Sequence, residues 1–64
     1  MKRRDLEREL KDAGWRLLRH GGNHDTWTNG HEIEQIPRHS EIGEMLAKKI
    51  VKRVRNNPPK KEQK

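Results

Sequence analysis

The chain has no cysteine, no tyrosine and no phenylalanine. The first absence removes any disulfide framework and any thiolate metal site. The other two leave Trp15 and Trp27 as its only large aromatic side chains. Only 27% of the residues are hydrophobic, and none of the apolar runs approaches a membrane span or a signal-peptide core. A chain of 64 residues buries only about 60% of the surface that its unfolded form exposes. The core must therefore be thin, with Trp15 and Trp27 as its largest pieces. These absences describe one small, soluble, intracellular domain without a membrane partner or a small-molecule cofactor.

Positive charge is abundant, and it is unevenly spread. The formal net charge is +6. Residues 1–43 carry eight Lys/Arg against eight Asp/Glu, so the excess lies in residues 44–64. A one-sided basic segment suits a polyanion, most often nucleic acid, or an acidic protein surface. A solvated Lys/Arg-rich helix face is the plainer alternative.

Apolar spacing divides the chain into five elements. Leu6, Leu10 and Ala13 form one narrow stripe, predicting a helix over 2–13 with Glu7 and Lys11 paired across a turn. Gly14 stands where a left-handed residue ends such a helix. A strand over 15–20 follows, although its alternation is imperfect, and Gly21-Gly22 turns the chain. A second strand runs over 24–28. Asn29-Gly30 is a strong hairpin signal, and a third strand covers 31–36. A two-residue turn would put Asp25 opposite Glu34, so a bulged register pairing Trp27 with Ile33 and His24 with Ile36 is preferred. Pro37 closes the strand. Ser40 is a good N-cap for a last helix built on Ile42, Met45, Leu46, Ile50 and Val54. Asn56-Asn57-Pro58-Pro59 stops it. The expected organisation is a single domain over 1–55 and a disordered basic tail over 56–64.

Helix, three strands and helix make a two-layer α+β domain, with a three-stranded antiparallel sheet and both helices on one face. Double-stranded-RNA-binding domains share this α-β-β-β-α order. The segment Gly21-Gly22-Asn23-His24 places an imidazole between a flexible turn and a rigid strand. Such a position suits a catalytic or ligand-binding histidine.

Three segments carry a resemblance to a known family. They are Ala13-Gly14-Trp15 after the first helix, Gly22-Asn23-His24 opening the second strand, and Ile36-Pro37-Arg38-His39-Ser40-Glu41-Ile42 before the last helix. Together the chain resembles the HicA-type toxins, mRNA-cleaving partners in bacterial HicA–HicB toxin–antitoxin pairs, over residues 1–55. The resemblance implies a double-stranded-RNA-binding-like fold, an endoribonuclease acting on mRNA in the bacterial cytoplasm, and a HicB-like antitoxin that covers the site. It also implies one key histidine, mapping onto His24. Asn23 stands where the family more often has Ser, and it keeps a hydrogen-bonding group there.

RNA can be cut without a metal, because its own 2′-OH attacks the adjacent phosphate. The protein must take one proton, give another and stabilise the charge at phosphorus. A histidine titrates in the right range for this, so His24 is expected to transfer protons. Its alternative is a strand-end residue bonded to the turn. Gly22 and Asn23 would support it. His39 is the first candidate for the second proton, against a capping role. Asp25, adjacent to His24 on a strand, should face the other way. His20 and His31 are expected as exposed strand-end residues. Arg38, as a bidentate clamp, and Lys48, Lys49 and Lys52 on the last helix would hold phosphate. Those lysines would also dock an acidic antitoxin. No zinc-like spacing appears among the histidines, so no metal is expected. Two other functions fit the same residues: a non-catalytic RNA-binding module, and a basic protein-interaction domain.

Overall fold

The structure is a computed structural model describing residues 1–59. Its elements are α1 (Arg3–Asp12), β1 (Arg16–His20), β2 (His24–Thr28), β3 (Ile33–Pro37) and α2 (Glu44–Asn56). The three strands form one antiparallel sheet in the order β1-β2-β3. The expected α+β fold, with its double-stranded-RNA-binding-like element order, is therefore present. Leu6 and Leu10 of α1, Trp15, Trp27 and Ile36, Ile42, and Ala47, Ile50 and Val54 of α2 make one buried cluster. The helices cover the sheet face that carries Trp27 and Ile36.

α1 ends as its sequence predicts. Gly14 has φ +91°. The Trp15 N–H donates to the Leu10 carbonyl at 2.9 Å and the Gly14 N–H to the Lys11 carbonyl at 3.0 Å. This pair of bonds is a Schellman motif, which leads the chain straight from the helix into a buried tryptophan. On the surface of α1 the ion pair is Arg3–Glu7 at 3.5 Å, so Glu7 reaches back a turn rather than forward to Lys11.

The start of α2 differs from expectation. The helix begins at Glu44 behind an extended Gly43 with ψ 145°, and Ser40 does not cap it. Ser40 to Ile42 runs beside the N-terminal residues instead. The Arg3 N–H donates to the Ser40 carbonyl at 2.9 Å, and the Ile42 N–H to the Met1 carbonyl at 2.7 Å. Those bonds hold the segment extended, and Ile42 is buried in the core cluster.

The β2–β3 register also differs. Trp27 faces Glu34 and Thr28 faces Ile33, leaving a four-residue loop from Asn29 to Glu32. Neither the two-residue turn nor the bulged Trp27–Ile33 register is adopted. The loop is built by two side chains. Asn29 Oδ1 accepts the His31 and Glu32 N–H groups at 3.0 and 2.7 Å. Thr28 Oγ1 accepts the Gly30 N–H at 2.9 Å and donates to the Glu32 carbonyl at 2.7 Å. Only Gly30 of the Asn-Gly pair takes a positive φ.

α2 is finished partly by Asn57, whose backbone and side-chain N–H groups donate to the Val54 and Arg53 carbonyls at 3.3 and 2.8 Å, and partly by distant side chains. The Trp15 indole N–H donates to the Val54 and Asn57 carbonyls at 3.2 and 3.0 Å. The Asn29 amide donates to the Asn57 carbonyl at 2.7 Å. Residues 56–59, expected at the start of a tail, are thus placed: Asn56 ends α2, Asn57 is hydrogen-bonded, and Pro59 lies over Gly14. Residues 60–64, the rest of that expected tail, lie outside the described residues. No helix of the described residues is long and apolar enough to cross a membrane.

Candidate functional site

The Gly21–Asn23 turn joins β1 to β2, and it is fixed at both ends. The Gly21 N–H donates to the His24 carbonyl at 2.8 Å. A Cβ on Gly21 would lie 2.4 Å from that same carbonyl oxygen, so the close approach requires glycine. A Cβ on Gly22 would meet nothing within 4 Å. On the other side, the Arg38 N–H donates to the Asn23 carbonyl at 3.2 Å. The Arg38 side chain adds a second bond, from Nη1 to the Gly21 carbonyl at 3.0 Å.

Under the turn sits Asp25, 3% exposed. Its carboxylate lies 3.0 Å from His20 Nδ1 and 3.6 Å from Arg38 Nε. A carboxylate can only accept here, so His20 Nδ1 carries the proton of that bond. The ring is then held in one orientation with Nε2 outward, and most of the imidazole remains exposed. Asp25 and His24 are neighbours in β2 and point to opposite faces, as alternation requires.

An open cleft of about 450 Å³ surrounds the turn. Arg19, His20, the Gly21–Asn23 turn, His24, Thr26 and Gln35 line it. His24 is exposed. The cleft thus brings together His24, Gly22 and Asn23 from the predicted set. It does not include the others. His39 is exposed in the connector after β3 and is not part of the lining. Lys48, Lys49 and Lys52 are exposed on α2, against the covered face of the sheet. Lys49 and Lys52 border a different groove, with Glu34, Leu46 and Ile50. Arg38 has its side chain turned to the Gly21 carbonyl and Asp25, while 43% of that side chain remains exposed.

Of the remaining cations on α2, Arg53 pairs with Glu34 at 2.6 Å and with Glu32 at 3.3 Å, and Arg55 pairs with Glu9. Burial pushes the Glu34 carboxyl up from its ordinary value, and the neighbouring Arg53 opposes that shift. Among the described residues no three His, Asp or Glu side chains converge as metal ligands would.

Sequence reasoning reads His20 as an exposed strand-end residue and does not single out Arg19. The five-residue separation of His20 and Asp25 across a glycine turn is the available signal, since a tight hairpin there brings the two together.

A family model described as the HicA toxin of bacterial toxin–antitoxin matches residues 3–55. No curated protein and no solved structure matches the chain at a significant level.

Proposed function

The chain belongs to the HicA toxin family of bacterial toxin–antitoxin systems, and from that premise we propose that it cuts mRNA, without a metal, in the cleft at His24. Transesterification needs two proton carriers on either side of one phosphate. One takes the 2′-OH proton as O2′ attacks phosphorus. The other gives a proton to the departing 5′ oxygen, leaving a 2′,3′-cyclic phosphate and a 5′-hydroxyl. We assign these two roles to His24 and His20. The observation that carries the assignment is the single cleft that His24 and His20 both line, from opposite faces of the hairpin end, with His20 bonded through Nδ1 to the buried Asp25. That anchoring leaves Nε2 free to exchange a proton, and His39 has no comparable placement. Gly22 and Asn23 shape the turn against which the phosphate would rest.

Arg38 is a positioning residue in this scheme. It ties the Gly21 carbonyl to Asp25, and so holds the turn between the two histidines. The exposed lysines of α2 suit the acidic surface of a HicB-like antitoxin better than a phosphate at His24, because none of them lines the cleft.

The test is cleavage of a long RNA, in EDTA, by the wild type, His24→Ala and His20→Ala. Wild-type cutting should be abolished by His24→Ala. In His20→Ala the pH–rate profile should lose one limb of its bell. Binding of RNA by the wild type with no cutting would favour the non-catalytic module instead. A His20→Ala profile with both limbs intact would remove His20 from the mechanism.

A further inference from the structure

Among the described residues no helix covers the second face of the sheet, and the charges on that face are all of one sign. Directly opposite residues of antiparallel strands share a face, as do residues two apart along a strand. His24, Thr26 and Thr28 of β2 share one. Gln35 lies opposite Thr26 and Ile33 opposite Thr28. Arg19 lies opposite Thr26 and Arg16 opposite Thr28. This face therefore presents Arg16, Arg19 and His24. The carboxylates of β2 and β3, Asp25 and Glu34, are opposite Ile36 and Trp27 and belong to the face beneath the helices.

A local irregularity produces this sorting. Arg16 and Arg19 are three residues apart, which in a regular strand would send them to opposite faces. The β1–β2 register shifts between Leu17 and Arg19. The extra residue rephases the strand, so both arginines join His24, and His20 turns to Asp25. The imperfect alternation of residues 15–20 in the sequence is the trace of that bulge.

We propose that this open face, through Arg16 and Arg19, binds the phosphate backbone of single-stranded RNA and delivers it to the His24 cleft. The proposal rests on the reading of that cleft as an RNA-cleaving site. Charge complementarity supports it: the exposed Arg16 and Arg19 stand beside Thr28 and Thr26, which are themselves buried, and the exposed Gln35 leads to His24, with no strand carboxylate on that face to repel a polyanion. An unpaired chain can lie along such a basic strand face with its bases splayed outward. The track differs from the basic helix that net charge alone singles out.

The experiment measures binding of a labelled single-stranded RNA of mixed sequence over a salt series, in the His24→Ala background, so that nothing is cut. Arg16→Gln/Arg19→Gln should weaken binding and lower the slope of log affinity against log salt by about 1.4, since each phosphate that a side chain neutralises adds ~0.7. Arg16→Lys/Arg19→Lys should keep the slope, which separates charge from folding. Lys48→Gln/Lys49→Gln/Lys52→Gln should leave it unchanged. The proposal is overturned if the lysine variant lowers the slope and the arginine variant does not. It is also overturned if the arginine variant keeps its RNA affinity and loses an acidic partner protein. Cleavage by the wild type in parallel distinguishes the two readings. Cutting with an arginine-independent slope sinks only the track, and an arginine-dependent slope with no cutting sinks only the nuclease.

Discussion

Replacing Arg38 with glutamine asks whether its guanidinium serves the protein or the substrate. Two interactions would disappear, the Nη1 bond to the Gly21 carbonyl at 3.0 Å and the approach of Nε to Asp25 at 3.6 Å. A hydrogen bond from a charged donor contributes about 1.5–3 kcal/mol. A unit charge pair at that separation is worth about 4–5 kcal/mol at an effective dielectric of ~20. With 43% of the arginine side chain exposed, solvent screening reduces the pair to about 1 kcal/mol. The combined loss is then about 2–4 kcal/mol. A chain of this length has a total stability of only about 3–10 kcal/mol. The melting temperature of Arg38→Gln should accordingly fall by about 10 °C or more. The assay is thermal unfolding followed by tryptophan fluorescence, with RNA affinity over a salt series beside it. Cutting should fall with the loosened turn, while the salt slope stays that of the wild type. A melting temperature within about 3 °C of the wild type, together with a salt slope lowered by ~0.7, would refute the positioning role. Arg38 would then be a phosphate ligand.

Gly21→Ala should lower both stability and cutting, by about 1–3 kcal/mol in the former, because its Cβ meets the His24 carbonyl; Gly22→Ala should stay within about 1 kcal/mol of the wild type. Equal melting of the two variants would contradict the close approach. Trp15→Phe removes the indole bonds to the Val54 and Asn57 carbonyls, whereas the Trp27 indole N–H is buried without a hydrogen-bond partner among the described residues. Trp15→Phe should therefore be at least about 1 kcal/mol more destabilising than Trp27→Phe in urea titrations. The Glu34 carboxyl is raised by burial, so the folded state holds its proton more tightly than the unfolded chain does. Its contribution is fully present below the ordinary carboxylate value and is lost as pH rises through the raised one. Glu34→Gln should flatten that limb of the stability–pH curve, and a limb of unchanged depth would exclude Glu34 as its source.

Much of the fold is legible because it is written locally. The Leu6–Leu10 stripe, Gly14 and the spacing of Ile50 and Val54 each specify their element without distant partners. The start of α2 is not legible. Ser40 and Glu41 have the chemistry of a helix entry, yet the N-terminal residues take their backbone for extended pairing. The β2–β3 register is hidden for a related reason. Asn29-Gly30 reads as a two-residue turn, but the Asn29 side chain is committed to two loop amides and to the far end of α2. At the cleft, His24 and its turn are legible from the Gly-Asn-His segment. The anchoring of His20 on Asp25 is not, since it depends on a strand irregularity that shifts which way Arg19 and His20 point. Lys48, Lys49 and Lys52 stand out by charge alone, and charge alone does not say which side of a sheet a helix covers.

The way α2 is finished has a consequence for how the chain folds. Its last carbonyls are met by Trp15, at the exit of α1, and by Asn29, in the β2–β3 loop. The final turn has local bonds from Asn57 to the Arg53 and Val54 carbonyls, and it gains these two further partners only when α1 and the β2–β3 loop are docked. The end of the C-terminal helix is thereby coupled to the tertiary structure and does not depend on local bonds alone. Native-state hydrogen exchange should show it: amides in the last turn of α2 should open with the whole molecule, where the end of an ordinary helix frays on its own.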